Sequence, residues 1–585
     1  MLRNQEILPR LPIPPLNNLF EFINWIKPIT DNQEFQTSQE ALNQFLMPNG
    51  DGQKLQKKLI EISEKQNTSW LEPFWNDMYL SYREQLVCNM NYCAILDNTK
   101  LTSQHTVSTL GAKIIYEMMH AYLKVSSKSL SPEYVKDQPQ CMDPYNHIFK
   151  SVRLPLLKKD SYKTYPFTKQ NHIVVFYNNN IFKLETSDLD GKLISIDLLA
   201  SKIQSIMDEN IQDRGNDIGI LTTANRDNAS KLYRAIEKDK TNQNSLDIIN
   251  TAVFVLCIDP ATKDLKDLQK MILLSDGKNR YFDKNCQIII SKDLNIAFNN
   301  EHTGADAIPW FNVINEVFNK ILKEQDKTIH VVETSLPEEL KWNLSSDIKS
   351  RLKDQCNQHQ KFVDNIFVDH VKFDDFGKNY IKNLKMSPDA FFHIALQIAQ
   401  YKTFGKLRST YESVSMRHFK NGRTECARPV NEHVSKFAIE VLSQNYSKER
   451  LKEFLMNAQN AHVDRIRKCQ KGFGIERHLF VLYKIYEKYG KKLGIHNKPK
   501  LYDSSGYKLL TYNFMSTSGV GFENISLFGF GPVVEEGYGI GYVIHEERIN
   551  VFLSTKTKNK DKGTELLNNL KYALLLLKDM ASCKI

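Results

Sequence analysis

A chain of 585 residues is too long for one ordinary hydrophobic core, and the usual domain size predicts about two to four domains or two large ones. With 41% hydrophobic and 25% charged residues the composition is that of a folded protein, which excludes disorder over most of the length. The net charge of +10, from 78 basic and 68 acidic residues, is spread without a basic block, so no nucleic-acid surface is indicated and a polyphosphate ligand fits equally well.

The chain opens on Leu8-Pro9-Arg10-Leu11-Pro12-Ile13-Pro14-Pro15-Leu16, whose prolines forbid regular structure and predict an extended arm, followed by a helix from Leu19 to Ile26. So few residues precede the arm that a cleavable targeting peptide is not expected. Trp70, Trp75 and Tyr79 recur at helical spacing and read as a core-facing stripe. Between Cys141 and Ile258 strands and helices mix. His172 to Tyr177 reads as a buried strand, Asn178-Asn179-Asn180 as a turn and Ile181 to Leu184 as its partner, with helices over Leu198 to Met207 and Ala229 to Ile236. This is α/β or α+β organisation. The strongest apolar run, Ala252 to Ile258, has the length of a buried strand and not of a membrane span.

Pro337-Glu338-Glu339-Leu340 predicts the start of a long helix, with Ser335 as its cap and a domain change at that point. Ser387-Pro388-Asp389-Ala390 opens the best-defined helix: a capping serine, proline at the first helical position, an acid in the first turn, then Phe391, Ile394, Ala395, Ile398 and Ala399 on one face and Gly405 at the end. Leu566 to Leu577 is a leucine-rich helix expected to dock on the body. The nine cysteines are scattered without a C-x-x-C pair, reading as reduced core thiols and not as a metal site.

His302 is the residue on which chemistry is expected to turn. Cys286 to Ile290 and Asn295 to Phe298 read as strands separated by polar residues, which puts His302 where a strand ends. An imidazole held by a sheet but projecting from irregular backbone suits a general base at neutral pH. Spacing alone does not decide: His302-x-x-x-Asp306 recurs as His370-x-x-x-Asp374, the chain has fifteen histidines, and a hydrogen-bonded loop histidine fits the same pattern. Lys378 and Lys382, beside Gly377, suit phosphate groups or form a solvated pair.

Taken in order, several stretches resemble the carnitine/choline acyltransferase family: the Pro-rich arm, Asn279-Arg280-Tyr281-Phe282-Asp283-Lys284, Glu301-His302, Thr410-Tyr411-Glu412-Ser413, Ser516-Thr517-Ser518 and Phe530-Gly531-Pro532-Val533. The resemblance implies an α/β protein of two domains, each similar to chloramphenicol acetyltransferase, with the active-site tunnel at their interface. Residues 63–339 would form the first domain, carrying the histidine; 1–62 and 340–585 would form the second. It implies His302 as general base, Ser518 as oxyanion donor and Asp306 as structural support, acting in a ternary complex without an acyl-enzyme.

By the same resemblance Lys378, Lys382, Asp389, Ser413 and Ser415 are expected to bind CoA. Tyr411, Thr424, Arg477, Ser516 and Phe530 are expected to bind carnitine, the guanidinium suiting its carboxylate and the aromatic ring its trimethylammonium group. Phe528 is expected to fill the acyl pocket and limit it to short chains. Tyr281, Ala307 and Ile381 depart from the family's usual tryptophan, glycine and proline. The reading is a carnitine O-acyltransferase of short-chain preference, with a medium- or long-chain enzyme, a choline acetyltransferase and a catalytically silent acyl-CoA-binding protein as alternatives. No permanent cofactor, metal or nucleic-acid partner is expected, and a monomer is. The terminal Cys583-Lys584-Ile585 is similar to a peroxisomal address, with mitochondrion or cytoplasm as alternatives.

Overall fold

The computed structural model describes residues 1–101, 105–208, 212–323, 335–443 and 445–582. The Cys583-Lys584-Ile585 signal lies outside them. The fold is α/β, built on two large mixed sheets. The larger has eight strands in the order Glu338–Glu339, Asn180–Glu185, His172–Tyr177, Val255–Asp259, Cys286–Ser291, Ile296–Glu301, Asn91–Leu96 and Ile525–Phe530. Its centre pairs His172–Tyr177, Val255–Asp259 and Cys286–Ser291 in parallel, and the last two are buried throughout, which is why they read as unbroken apolar runs. The expected hairpin closes Tyr177 against Asn180 across Asn178 and Asn179, whose φ angles of 47° and 62° are the left-handed pair a two-residue turn needs.

The smaller sheet runs Ile366–Phe373, Ile549–Lys556, Tyr538–Ile544, Met515–Val520, Thr410–Ser415 and Thr424–Ala427. Two helices read from the sequence share a core with it. Pro388–Phe404 starts on Ser387, whose Oγ accepts from Ala390 N at 3.4 Å, and ends on Gly405 at φ 70°. Lys560–Ser582 places Leu566, Leu570 and Leu574 against Phe391, Ile394 and Ile398 in that core.

Ile525–Phe530 joins the two sheets. Its neighbours in sequence, Met515–Val520 and Tyr538–Ile544, belong to the smaller sheet, yet it pairs antiparallel with Asn91–Leu96 at the edge of the larger one. The crossing is so tight that a Cβ on Gly541 would meet Phe528 O at 1.8 Å and one on Gly531 would meet Cys88 Sγ at 1.9 Å. The glycines around Phe530 therefore serve backbone packing.

The Pro-rich arm is extended and tied down by main-chain acceptors: Pro12 O takes Trp70 Nε1–H at 3.0 Å and Pro14 O takes Gln56 Nε2–H at 2.9 Å. Leu11, Phe22, Trp25, Trp70 and Trp75 share one core with Ile475, Leu482 and Leu510. The helix expected at Pro337 is not there. Glu338–Glu339 pairs with Phe182 and Lys183 as a short strand, and the long helix is Ser346–Asp364, capped by Ser345 Oγ accepting from Ile348 N. Pro337 precedes an edge strand, which needs no N–H at that position, and the stronger Ser345-Ser346-Asp347 start lies eight residues further on. Among the described residues the eight cysteines carry no disulfide, and no helix is long and apolar enough to cross a membrane.

Candidate active site

His302 leaves the strand Ile296–Glu301 on a loop held by buried charges. Glu301 Oε2 accepts from Thr303 N at 3.0 Å, and Arg153 Nη1 lies 3.5 Å from Glu301 Oε1 and donates to Thr303 Oγ1 at 3.2 Å. Arg153 also donates to Asp160 at 2.7 Å; Asp160 takes a second guanidinium from Arg226 at 2.6 Å, and Arg226 reaches Asp283 at 2.7 Å. Burial lifts the Asp283 carboxyl to about 6 against the pull of Arg226. The Asn279-Arg280-Tyr281-Phe282-Asp283-Lys284 motif thus acts through packing: Arg280 pairs with Asp259, Asp283 with Arg226, and Lys284 donates to Asn250 O. Tyr281 is buried in the same core.

The imidazole is clamped on three sides. It stacks on Tyr79 with centroids 5.4 Å apart and meets the edge of Tyr92 at 5.1 Å. Nδ1 lies 3.1 Å from Tyr79 Oη and 3.8 Å from Asp306 Oδ1. Asp306 in turn pairs with Arg423 at 3.3 Å, whose Nη1 donates to Thr303 O at 3.1 Å. A carboxylate beside Nδ1 favours the tautomer with the proton on that nitrogen, leaving Nε2 as the free base. Burial lowers the His302 pKa; Asp306 pulls it back up and Arg423 pushes it down. The net downward shift favours the neutral ring at pH 7.

His302 borders a cavity of about 350 Å³ whose walls come from both sheets. Asn91, Tyr92, Asp306 and Ala307 line it on one side; Tyr411, Ser413, Ser415, Thr424, Ser516 and Ser518 line it on the other; Phe528 and Phe530 lie on the joining strand. Residues 302, 306, 411, 413, 415, 424, 516, 518, 528 and 530 are therefore brought together. Phe528 is packed against Phe311 at 5.4 Å and Tyr92 at 6.1 Å.

Arg477 stands one layer behind this wall. Its Nη2 donates to Tyr411 Oη at 2.8 Å and approaches Thr424 Oγ1 at 3.5 Å, its Nε donates to Thr424 O at 3.1 Å, and its guanidinium lies 4.0 Å from the centre of the Trp75 ring. The charge reaches the cavity through two hydroxyl side chains on its surface.

Lys378, Lys382 and Asp389 do not border the cavity. The two lysines are on the short helix Lys378–Asn383, where Lys378 is ion-paired at 3.8 Å with Glu523 and 3.9 Å with Glu546, and Lys382 is exposed. Asp389 is engaged elsewhere, accepting from the Tyr542 hydroxyl at 2.7 Å and lying 3.0 Å from His462 Nε2.

Three residues of the site have no counterpart among the sequence candidates. Tyr79 and Trp75 belong to the aromatic stripe read as core; both are buried, but one face of each serves the site, against His302 and Arg477 respectively. Arg423, between Gly422 and Thr424, holds Asp306. Helical spacing marks burial and says nothing of what lies across it.

The family described as Choline/Carnitine o-acyltransferase matches residues 11–572. Carnitine O-acetyltransferase of Columba livia is 30% identical, over 99% of this chain and 94% of its own length. Choline O-acetyltransferase of Mus musculus is 28% identical over 99% and 93%, and mitochondrial carnitine O-palmitoyltransferase 2 of Homo sapiens is 28% identical over 94% and 88%. With the match spanning nearly the whole chain, and a half-buried histidine facing a serine-lined wall, this protein belongs to the choline/carnitine O-acyltransferase family and is an acyltransferase.

Proposed function

We propose that the protein transfers a short acyl group reversibly between CoA and the hydroxyl of carnitine. The observation that carries this reading is the cavity that holds His302 together with Ser518, Ser516, Tyr411 and Thr424, the last two backed by the buried guanidinium of Arg477. Carnitine is zwitterionic, and its carboxylate needs a fixed cation that choline does not.

In the forward direction His302 Nε2 takes the proton of the carnitine hydroxyl as its oxygen attacks the thioester carbonyl. The Ser518 hydroxyl donates to the resulting oxyanion. The C–S bond then breaks, and the imidazolium returns its proton to the CoA sulfur, so no acyl group passes through the enzyme. Ser413 and Ser415 border the pantetheine path in this reading, and Lys378 and Lys382 take the 3′-phosphate. Asp306, held by Arg423, keeps the Nδ1 proton in place.

Ser518→Ala is expected to lower kcat by about 10²–10³ while moving either KM only a few-fold, because the bond to Ser518 strengthens only as the oxyanion forms. Steady-state rates with both substrates saturating check this, and a loss below tenfold removes Ser518 from the role. Chain length is tested by comparing acetyl-, octanoyl- and palmitoyl-CoA. The wild type is expected to prefer acetyl, and Phe528→Gly is expected to raise octanoyl transfer relative to acetyl at least about tenfold by vacating the space between Tyr92 and Phe311. An unchanged ratio refutes Phe528 as the limit.

A further inference from the structure

We infer that Tyr92, held in place by Asn300, is a second wall of the acyl pocket and, with Phe528, restricts the transferred group to about two or three carbons. The inference rests on the transferase reading above and narrows the class of acyl group that the site accepts. Alternation along Ile296–Glu301 sets Phe298 and Asn300 on one face of the larger sheet. The register with Asn91–Leu96 places Tyr92 opposite Asn300 and Ala94 opposite Phe298; across the next ladder Tyr92 faces Phe530 and Ala94 faces Phe528. Two rows result, Asn300-Tyr92-Phe530 and Phe298-Ala94-Phe528. A large phenol stands in the middle of the first and a small alanine in the middle of the second. Phe311, from the helix Ala307–Leu322, packs over this face with its ring centroid 6.1 Å from that of Tyr92 and 5.4 Å from that of Phe528.

Tyr92 touches both ends of the acyl path. Its ring centroid is 5.1 Å from that of His302, where the thioester carbonyl reacts, and 6.1 Å from that of Phe528, toward which the tail points. All three residues border the same cavity. An acyl group directed from His302 toward Phe528 therefore runs along the phenol ring, and the room for its carbons is set by that ring as well as by Phe528. In a filled pocket one extra methylene changes a rate by about 10–200-fold.

Asn300 keeps the ring from swinging aside. The Tyr92 hydroxyl lies within hydrogen-bonding reach of the Asn300 amide, and the two side chains are only 3% and 1% exposed. An amide offers a carbonyl and an NH₂ group, and among the described residues nothing else bonds either Asn300 atom. Moving the ring to admit a longer chain would strip the amide of the phenol and lay methylenes against it, and an interior without water returns neither cost. Burial raises the phenol well above its ordinary 10, more than the Asn300 bond lowers it, so the hydroxyl keeps its proton throughout the neutral range. Tyr92 is thus the contact and Asn300 the positioning residue behind it.

The test uses the full-length protein with saturating carnitine and measures kcat/KM for acetyl-, propionyl-, butyryl- and octanoyl-CoA by release of the CoA thiol. In the wild type propionyl is expected within a few-fold of acetyl, and butyryl at least about tenfold below it. Tyr92→Ala should raise the butyryl-to-acetyl ratio at least about tenfold, and Asn300→Ala, which leaves the ring in place without its anchor, at least about threefold. Because Tyr92 also touches His302, every rate is expected to fall in its variants, and the ratio within each variant reads the pocket. A merely structural role would slow all acyl groups alike and leave that ratio where it was. If Tyr92→Ala does not fold, Tyr92→Leu is read in the same way. An unchanged ratio in the Tyr92 variant, or wild-type butyryl transfer as fast as acetyl, overturns the inference and leaves transfer to carnitine standing. An unchanged ratio in Asn300→Ala overturns the anchoring. Failure of every acyl-CoA to give an acylcarnitine overturns the transferase reading and this inference with it.

Discussion

Replacing His302 with alanine is expected to lower kcat/KM for transfer by about 10⁴-fold while CoA binding stays within a few-fold. The size follows from what a positioned base contributes to proton removal; no second group within reach of the hydroxyl replaces it, since the phenol of Tyr79 is pushed far above neutrality by burial. Turnover near wild type would remove His302 from its role. The wild-type pH profile offers an independent check. The base works only when unprotonated, and burial lowers its pKa below the ordinary histidine value of 6.5, so the rate should fall with pH only below that value and stay level through neutrality.

Arg477→Asn is expected to raise the KM for carnitine about 100-fold and that for acyl-CoA no more than a few-fold. Removing one member of a buried charged pair costs about 3 kcal/mol, the equivalent of that factor. The structure adds a route for the effect. The guanidinium is bonded to Tyr411 and Thr424, so its loss withdraws positive charge and also frees the two hydroxyls that face the acceptor. Arg477→Lys keeps the charge without the fork and should fall between the two. Equal changes in both KM values would count against carboxylate recognition and favour an acceptor without a carboxylate, such as choline.

How far the sequence could reach depended on whether a feature was local. Asn178 and Asn179 announced their turn, Ser387 and Gly405 the ends of their helix, and the run from Cys286 to Phe298 the strands that deliver His302, because each is written in consecutive residues. The ordered motifs added the cavity wall. What was not legible is what crosses from one element to another. Tyr79 meets His302 across 223 positions, and Arg423 meets Asp306 through a fold that no spacing encodes. Pro337 misled for a related reason: proline suits both the first turn of a helix and the start of an edge strand, and only the partner at Phe182 decides between them.

The strand Ile525–Phe530 bears on how the molecule can be divided. Expressed without it, the N-terminal portion would keep Asn91–Leu96 as a raw edge, a wholly buried stretch with one row of amides and carbonyls facing water. Such an edge recruits other chains, so pieces made separately would clump before they could reunite. The enzyme has to be produced, purified and dissected as a single length of polypeptide, and any opening that admits substrate must come from loops and side chains, with this ladder left zipped.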